Sequence, residues 1–167
     1  MDFVWTPWRY RYIADAAREK GGCVFCDALA FGDDARVHIV LRAAKNFVIL
    51  NRYPYTSGHV MVVPYQHSGS LAAFDAETLS EMMALAQRVQ GALESIYHPE
   101  GYNLGINMGR AAGAGITGHL HMHLLPRWTG DTNFMTVVGE TRLVPEELDD
   151  TYRRLRTALG LDPGAAK

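Results

Sequence analysis

The stretch His119-Leu120-His121-Met122-His123-Leu124-Leu125-Pro126 alternates three imidazoles with apolar residues and ends at a proline. In a β-strand, side chains alternate faces with a period of two. His119, His121 and His123 then share one face, and Leu120, Met122 and Leu124 share the other. On a helix the same histidines would fan over more than half the circumference, leaving neither a core face nor a site. The stretch therefore predicts a strand with a packed apolar face and three titratable rings opposite. The chain has 7 histidines, and three lie here, which would be a poor use of a core.

The ten residues before it, Gly109-Arg110-Ala111-Ala112-Gly113-Ala114-Gly115-Ile116-Thr117-Gly118, form a glycine- and alanine-rich loop. Such a loop lets backbone N–H groups approach a ligand closely, as phosphate-cradling nests do. Further upstream, 102–108 alternates weakly and reads as a strand. Before it, Asp75 reads as an N-cap with Glu77 in the first turn. Leu79, Met82, Met83, Ala86, Val89, Leu93 and Ile96 follow at helical spacing, up to a stop at His98-Pro99-Glu100-Gly101. Strands are predicted at 36–41, 47–50 and 59–63, the last two joined by a turn-rich link, 51–58. Pro7 opens a predicted helix to about residue 20. The aromatics Phe3, Trp5, Trp8, Tyr10 and Tyr12 serve either packing or base stacking. Downstream, Pro145 opens a helix to about Leu159, and 160–167 reads as a frayed tail. No repeat or linker divides the chain. One α+β domain, 1–167, follows: an antiparallel sheet, one long helix and smaller terminal helices.

The 167 residues can bury a core without staples, and the composition is 48% hydrophobic and 20% charged with net charge −2. That balance argues against a general nucleic-acid binder and leaves room for a small anionic ligand. No apolar run approaches the roughly 20 residues of a membrane span. The start, Met1-Asp2-Phe3-Val4-Trp5-Thr6-Pro7, lacks the pattern of a secretory signal, so the expected location is cytoplasmic. The two cysteines form Cys23-Val24-Phe25-Cys26, a spacing of metal knuckles or redox pairs.

Three readings of the histidine face compete. In the first, the rings are structural and satisfied by neighbours. In the second, they are three ligands of a catalytic metal with an open position. In the third, one imidazole is a nucleophile whose neighbours fix its tautomer. The glycine loop favours the third reading, because backbone donors beside the ring would hold phosphate oxygens during attack on phosphorus.

His119-x-His121-x-His123 with its two following apolar residues resembles the signature of the histidine triad superfamily of nucleotide hydrolases and transferases. Asn51 with Gly58-His59-Val60-Met61-Val62-Val63-Pro64 resembles the family's first binding segment. Asn107-Met108-Gly109 resembles the lead into its phosphate loop. The run from Pro126 to Met135, and Trp5-Thr6-Pro7-Trp8-Arg9 near the start, are similar to the branch of fragile-histidine-triad hydrolases and bacterial diadenosine tetraphosphate phosphorylases. The resemblance spans roughly residues 5–160.

The resemblance implies a five-stranded antiparallel sheet extended by homodimerisation. It makes His121 the nucleophile on the α-phosphorus, with His123 and a backbone carbonyl setting its tautomer and His119 and His59 completing the catalytic set. Water or inorganic phosphate would then release the nucleotide. Asn51 would bind ribose, Asn107 would add a polar contact, and Gly115, Ile116 and Thr117 would hold phosphate. Phe47, Ile49 and Leu50 would border the base. Cys23, Cys26, His67 and His119 would hold a structural zinc, with no organic cofactor and with adenine nucleotides as substrates. Many hydrolases of the family carry glutamine where this chain has Gly115, which leans the expectation toward phosphorolysis of diadenosine tetraphosphate. The alternatives are a nucleoside phosphoramidate or adenylyl-conjugate hydrolase, and a nucleotide sensor with little turnover. No nucleic-acid or membrane partner is expected.

Overall fold

The computed structural model describes residues 22–131 and 146–163. Its elements are α1 (Val24–Ala30), α2 (Asp34–Val37), β1 (Ile39–Arg42), β2 (Asn46–Leu50), β3 (Val60–Pro64), α3 (Ala76–Tyr97), β4 (Gly101–Ile106), β5 (Met122–Arg127) and α4 (Leu148–Ala158). Short 3-10 turns lie at Leu71–Ala73 and Arg110–Ala112. The strands form one antiparallel sheet in the order β1-β2-β3-β5-β4. This is the α+β arrangement expected, with its five strands and long helix.

Both faces of the sheet are covered, so β2 and β3 are buried along their whole length. One face of the sheet, with Val48, Leu50, Val60, Val62, Leu120, Met122 and Leu124, packs on Met82, Leu85, Val89 and Leu93 of α3 and Tyr152 and Leu155 of α4. The other face carries Phe47, Ile49, Met61 and Val63, which form a second cluster with Ile39 and Phe25 of α1. The histidines lie on this second side, because Met61 is the register partner of His123.

Asp75 caps α3 by accepting the Thr78 N–H at 2.7 Å, and His98 ends it in a left-handed conformation with φ 44°. Glu81, one turn into α3, accepts the N–H groups of Ala44 and Lys45 at 3.0 and 2.8 Å and so clamps the β1–β2 turn. Met83 departs from the expected apolar face and is exposed, since it sits about 100° around the helix from Met82.

Other boundaries differ for local reasons. Residues 36 and 37 are helical instead of extended: Asp33 accepts the Arg36 N–H and caps α2, and His38, at φ 58°, stops it before β1 begins at Ile39. β4 ends at Ile106, short of Met108. β5 begins at Met122, because the Leu120 N–H donates to Ser68 at 2.7 Å instead of to a strand. The alternation nonetheless persists, with Leu120 buried beside Met122 and Leu124. Leu50 belongs to the helix-side cluster and cannot share a base-facing surface with Phe47 and Ile49. The tail starts ordered: Gly160 at φ 71° lets the Leu161 N–H reach the Arg156 carbonyl at 2.8 Å, a Schellman closure. The helix expected from 145 begins at Leu148, with Glu147 as its N-cap; the expected helix 7–20, the N-terminal aromatics and residue 145 lie outside the described residues.

Candidate active site and metal centre

His121 is 4% exposed and its Nδ1 lies 2.8 Å from the His119 carbonyl oxygen. A carbonyl only accepts, so Nδ1 carries the hydrogen and Nε2 keeps a free lone pair. Burial pushes the His121 pKa down, partly offset by that hydrogen bond, so the ring is held neutral. A neutral imidazole with one bare nitrogen in a fixed tautomer is a competent nucleophile.

Next to it, the ring of His123 stands edge-on to His121 at 4.9 Å and 75°. Its tautomer is set two links away. The Tyr55 backbone N–H points at His59 Nδ1 (3.1 Å), so His59 carries its hydrogen on Nε2 and donates it to His123 Nδ1 at 2.9 Å. His123 is left with an Nε2–H donor. Burial and then His121 lower the His123 pKa to about 4, so it too is neutral at pH 7. The loop before β3 makes this possible. Gly58, at φ 78°, lies where a Cβ would come within 2.9 Å of Leu93 and 3.0 Å of Tyr97, so only glycine lets the chain turn into His59.

Asn51, 7% exposed, reinforces the same loop: its Oδ1 accepts the Tyr53 N–H at 3.0 Å, and its amide nitrogen lies 3.3 and 3.4 Å from the two nitrogens of His59. Asn107 sits half-buried just past β4. Along the glycine loop, Gly115 is half-buried, Ile116 packs on the second cluster and Thr117 is exposed. Gly69 holds the end of that loop, approaching so closely that a Cβ there would lie 2.1 Å from the Thr117 carbonyl oxygen.

On the other side of His119 lies a second cluster of ligands. Its Nδ1 is 3.2 Å from Cys23 Sγ and 3.7 Å from Cys26 Sγ, and His67 Nδ1 is 3.4 Å from Cys26 Sγ. The four candidate ligand atoms lie within 4.8 Å of one another. Edges of a tetrahedral two-cysteine, two-histidine zinc site are about 3.3–3.8 Å, so a small contraction closes this one. The donor chemistry fits as well. His119 Nε2 gives its hydrogen to the Pro64 carbonyl at 2.8 Å, leaving the lone pair on Nδ1, the nitrogen facing the thiols. Cys23, Cys26, His67 and His119 could therefore hold a metal ion.

Two aromatic neighbours had not been singled out in the sequence. The Phe25 ring lies between the two cysteines in sequence and 5.1 Å from the His121 ring in space. Tyr55 stacks against His123 at 6.3 Å and 27°, and lies 4.8 Å from His59. Their only signal was position, one inside the Cys-x-x-Cys and the other four residues before His59.

A row of imidazoles running into β5 beside a glycine loop, with a ligand cluster behind it, defines a histidine-triad type of site. Residues 34–130 match the HIT domain family. The AP-4-A phosphorylase of Mycobacterium tuberculosis is 35% identical, over 96% of this chain and 85% of its own length. A Zn-bound histidine triad family protein from Mycobacterium smegmatis superimposes with a TM-score of 0.68 at 31% identity, over 83% of this chain and 94% of its own. A hypothetical histidine triad nucleotide-binding protein of Sulfolobus tokodaii gives 0.67 at 26% identity, over 83% and 92%. The chain belongs to the HIT domain family and is a HIT-type enzyme. Among the described residues no helix is long and apolar enough to cross a membrane.

Proposed function

We propose that this chain cleaves dinucleoside polyphosphates, diadenosine tetraphosphate foremost, by covalent catalysis at His121. Nε2 attacks an α-phosphorus, a nitrogen–phosphorus bond forms, and the bond from that phosphorus to the bridging oxygen breaks, releasing a nucleoside triphosphate. A polyphosphate anion is a weak base and leaves unprotonated; the Nε2–H of His123 donates a hydrogen bond to phosphate oxygen as charge builds. Backbone N–H groups of Gly115, Ile116 and Thr117 share that load, while Asn51 and Asn107 contact the nucleoside. In the second step an oxygen of inorganic phosphate attacks the phosphorus, restoring His121 and releasing a nucleoside diphosphate. The small Gly115 leaves room for phosphate as acceptor in preference to water, and the phosphorylase relative supports the same choice.

The observation that carries the reading is the tautomer of His121, fixed by the His119 carbonyl with Nε2 bare. The test is product analysis with diadenosine tetraphosphate, with and without phosphate, using His121→Asn as control. ADP plus ATP formed only with phosphate supports phosphorolysis. AMP plus ATP without phosphate replaces it with asymmetric hydrolysis. If nothing is cleaved but the nucleotide binds equally to wild type and His121→Asn, the chain is a sensor and the catalytic reading falls.

The ligand set Cys23, Cys26, His67 and His119 is read as a structural zinc site, in keeping with the Zn-bound neighbour. Zinc there would tie the α1 turn to the start of β5. The chain is further read as a cytoplasmic homodimer. β4 is an edge strand and Leu104 on it is 47% exposed, a surface that pairing with a second copy would cover. A sedimentation mass of one chain would remove the dimer.

A further inference from the structure

The His119 carbonyl fixes which nitrogen of His121 is bare, but one hydrogen bond at Nδ1 leaves the ring free to tilt about it. Two rings limit that tilt. His123 stands on one flank at 4.9 Å, and Phe25 lies at 5.1 Å and 49°. Phe25 is 2% exposed and also meets the His119 ring edge-on at 5.3 Å and 72°. It therefore touches both the nucleophile and the residue whose carbonyl orients it. It is carried not by the sheet itself but by a helix packed on it. It sits in the first turn of α1, between Cys23 and Cys26, whose sulfurs face His119 and His67 across 3.2 and 3.4 Å.

We propose that Phe25 is a positioning residue for catalysis: its ring is the wall that holds the His121 imidazole at the angle of attack, and the Cys-x-x-Cys turn sets that wall. The inference rests on His121 acting as the nucleophile. In-line attack tolerates little misalignment, and an error of about an ångström can lower a rate as much as 100-fold. A leucine at position 25 fills most of the same space yet offers no flat face, so it separates core filling from ring positioning.

The experiment uses Phe25→Leu, with Phe25→Met as a second variant should leucine fail to fold, each first checked for a cooperative melt and metal content equal to wild type. Two readouts follow: kcat and KM with diadenosine tetraphosphate and phosphate, and the nitrogen-15 spectrum of labelled histidines in the free protein at mildly alkaline pH. The His121 signals are assigned by their loss in His121→Asn. The expected result is a fall in kcat of about tenfold or more with KM within about threefold, because an interaction made in the transition state has been lost. The His121 signals should keep the Nδ1–H pattern, which the His119 carbonyl fixes, but broaden as the ring samples more than one tilt. A folded variant with unchanged kcat, or with only KM raised, would reduce Phe25 to a core residue. An unchanged His121 spectrum would do the same. The spectrum needs no substrate: if wild type cleaves nothing, the proposed activity fails while the role of Phe25 is still decided by the rings.

Discussion

At the scale of single residues, the site is a chain of donors and acceptors in which each ring is oriented by a main-chain group or by a ring that such a group has oriented. The Tyr55 N–H sets His59, His59 sets His123, the His119 carbonyl sets His121, and the Pro64 carbonyl sets His119. Removing His59 should therefore be felt at His123, which it does not merely pack against. In His59→Phe the ring shape stays but both nitrogens go. The Tyr55 N–H loses its acceptor and His123 Nδ1 its donor, with a stability cost on the order of 1–3 kcal/mol for the stranded buried groups. His123 would then choose between tautomers, and the donor facing phosphate would be present only part of the time. The expected outcome is a fall in kcat of about tenfold, at little change in KM, in folded protein. Full activity in a destabilised variant would mean that His59 serves the fold alone.

At the scale of elements, α1 is held less by its own length than by what its ends attach to. It has 7 residues, and its N-cap, Cys23, makes no side-chain capping bond. An isolated helix that short is unstable in water. Its anchorage comes from Phe25 and from the two thiols against His119 and His67. Cys23→Ser should therefore release more than one ligand. The prediction is metal content near zero, a lowered melting temperature, and a chelator that destabilises wild type but leaves the variant unchanged. An equally stable variant with no metal in either protein would make Cys23 and Cys26 two ordinary reduced thiols.

The histidine strand was legible because period two acts residue by residue, and the long helix because Asp75 and its apolar spacing act locally. Arg36 and Val37 misled because a four-residue helix is decided by one side chain, Asp33, whose bond outweighs the strand preference of valine. The start of β5 was misplaced because Leu120 bonds to Ser68, and no local pattern announces a partner so far away in sequence. Phe25 and Tyr55 were invisible as site residues for the same reason. Their roles come from which rings the sheet brings beside them.

At the scale of the whole molecule, the chain keeps a row of neutral imidazoles on the buried α1 side of its sheet, and that choice sets its response to acid. Burial lowers the pKa of His119, His121 and His123, the last to about 4 from an ordinary value of about 6.5. Between those two values the unfolded chain binds a proton at position 123 that the folded chain refuses. Stability is then fully present above about pH 6.5 and is lost progressively as the pH falls toward about 4. The His123 share is on the order of 2 kcal/mol once its partial exposure is allowed for, and the depressed pKa values of its two neighbours push the same way. Urea unfolding across this window should show a falling midpoint for wild type. His123→Gln keeps a hydrogen-bonding side chain that does not titrate, so its midpoint should fall less steeply, by about one proton's worth of slope. If the two slopes coincide, His123 is already protonated in the folded state or is exposed to solvent. The first would contradict the neutral Nε2–H donor beside the nucleophile, and the second the burial that lowers its pKa.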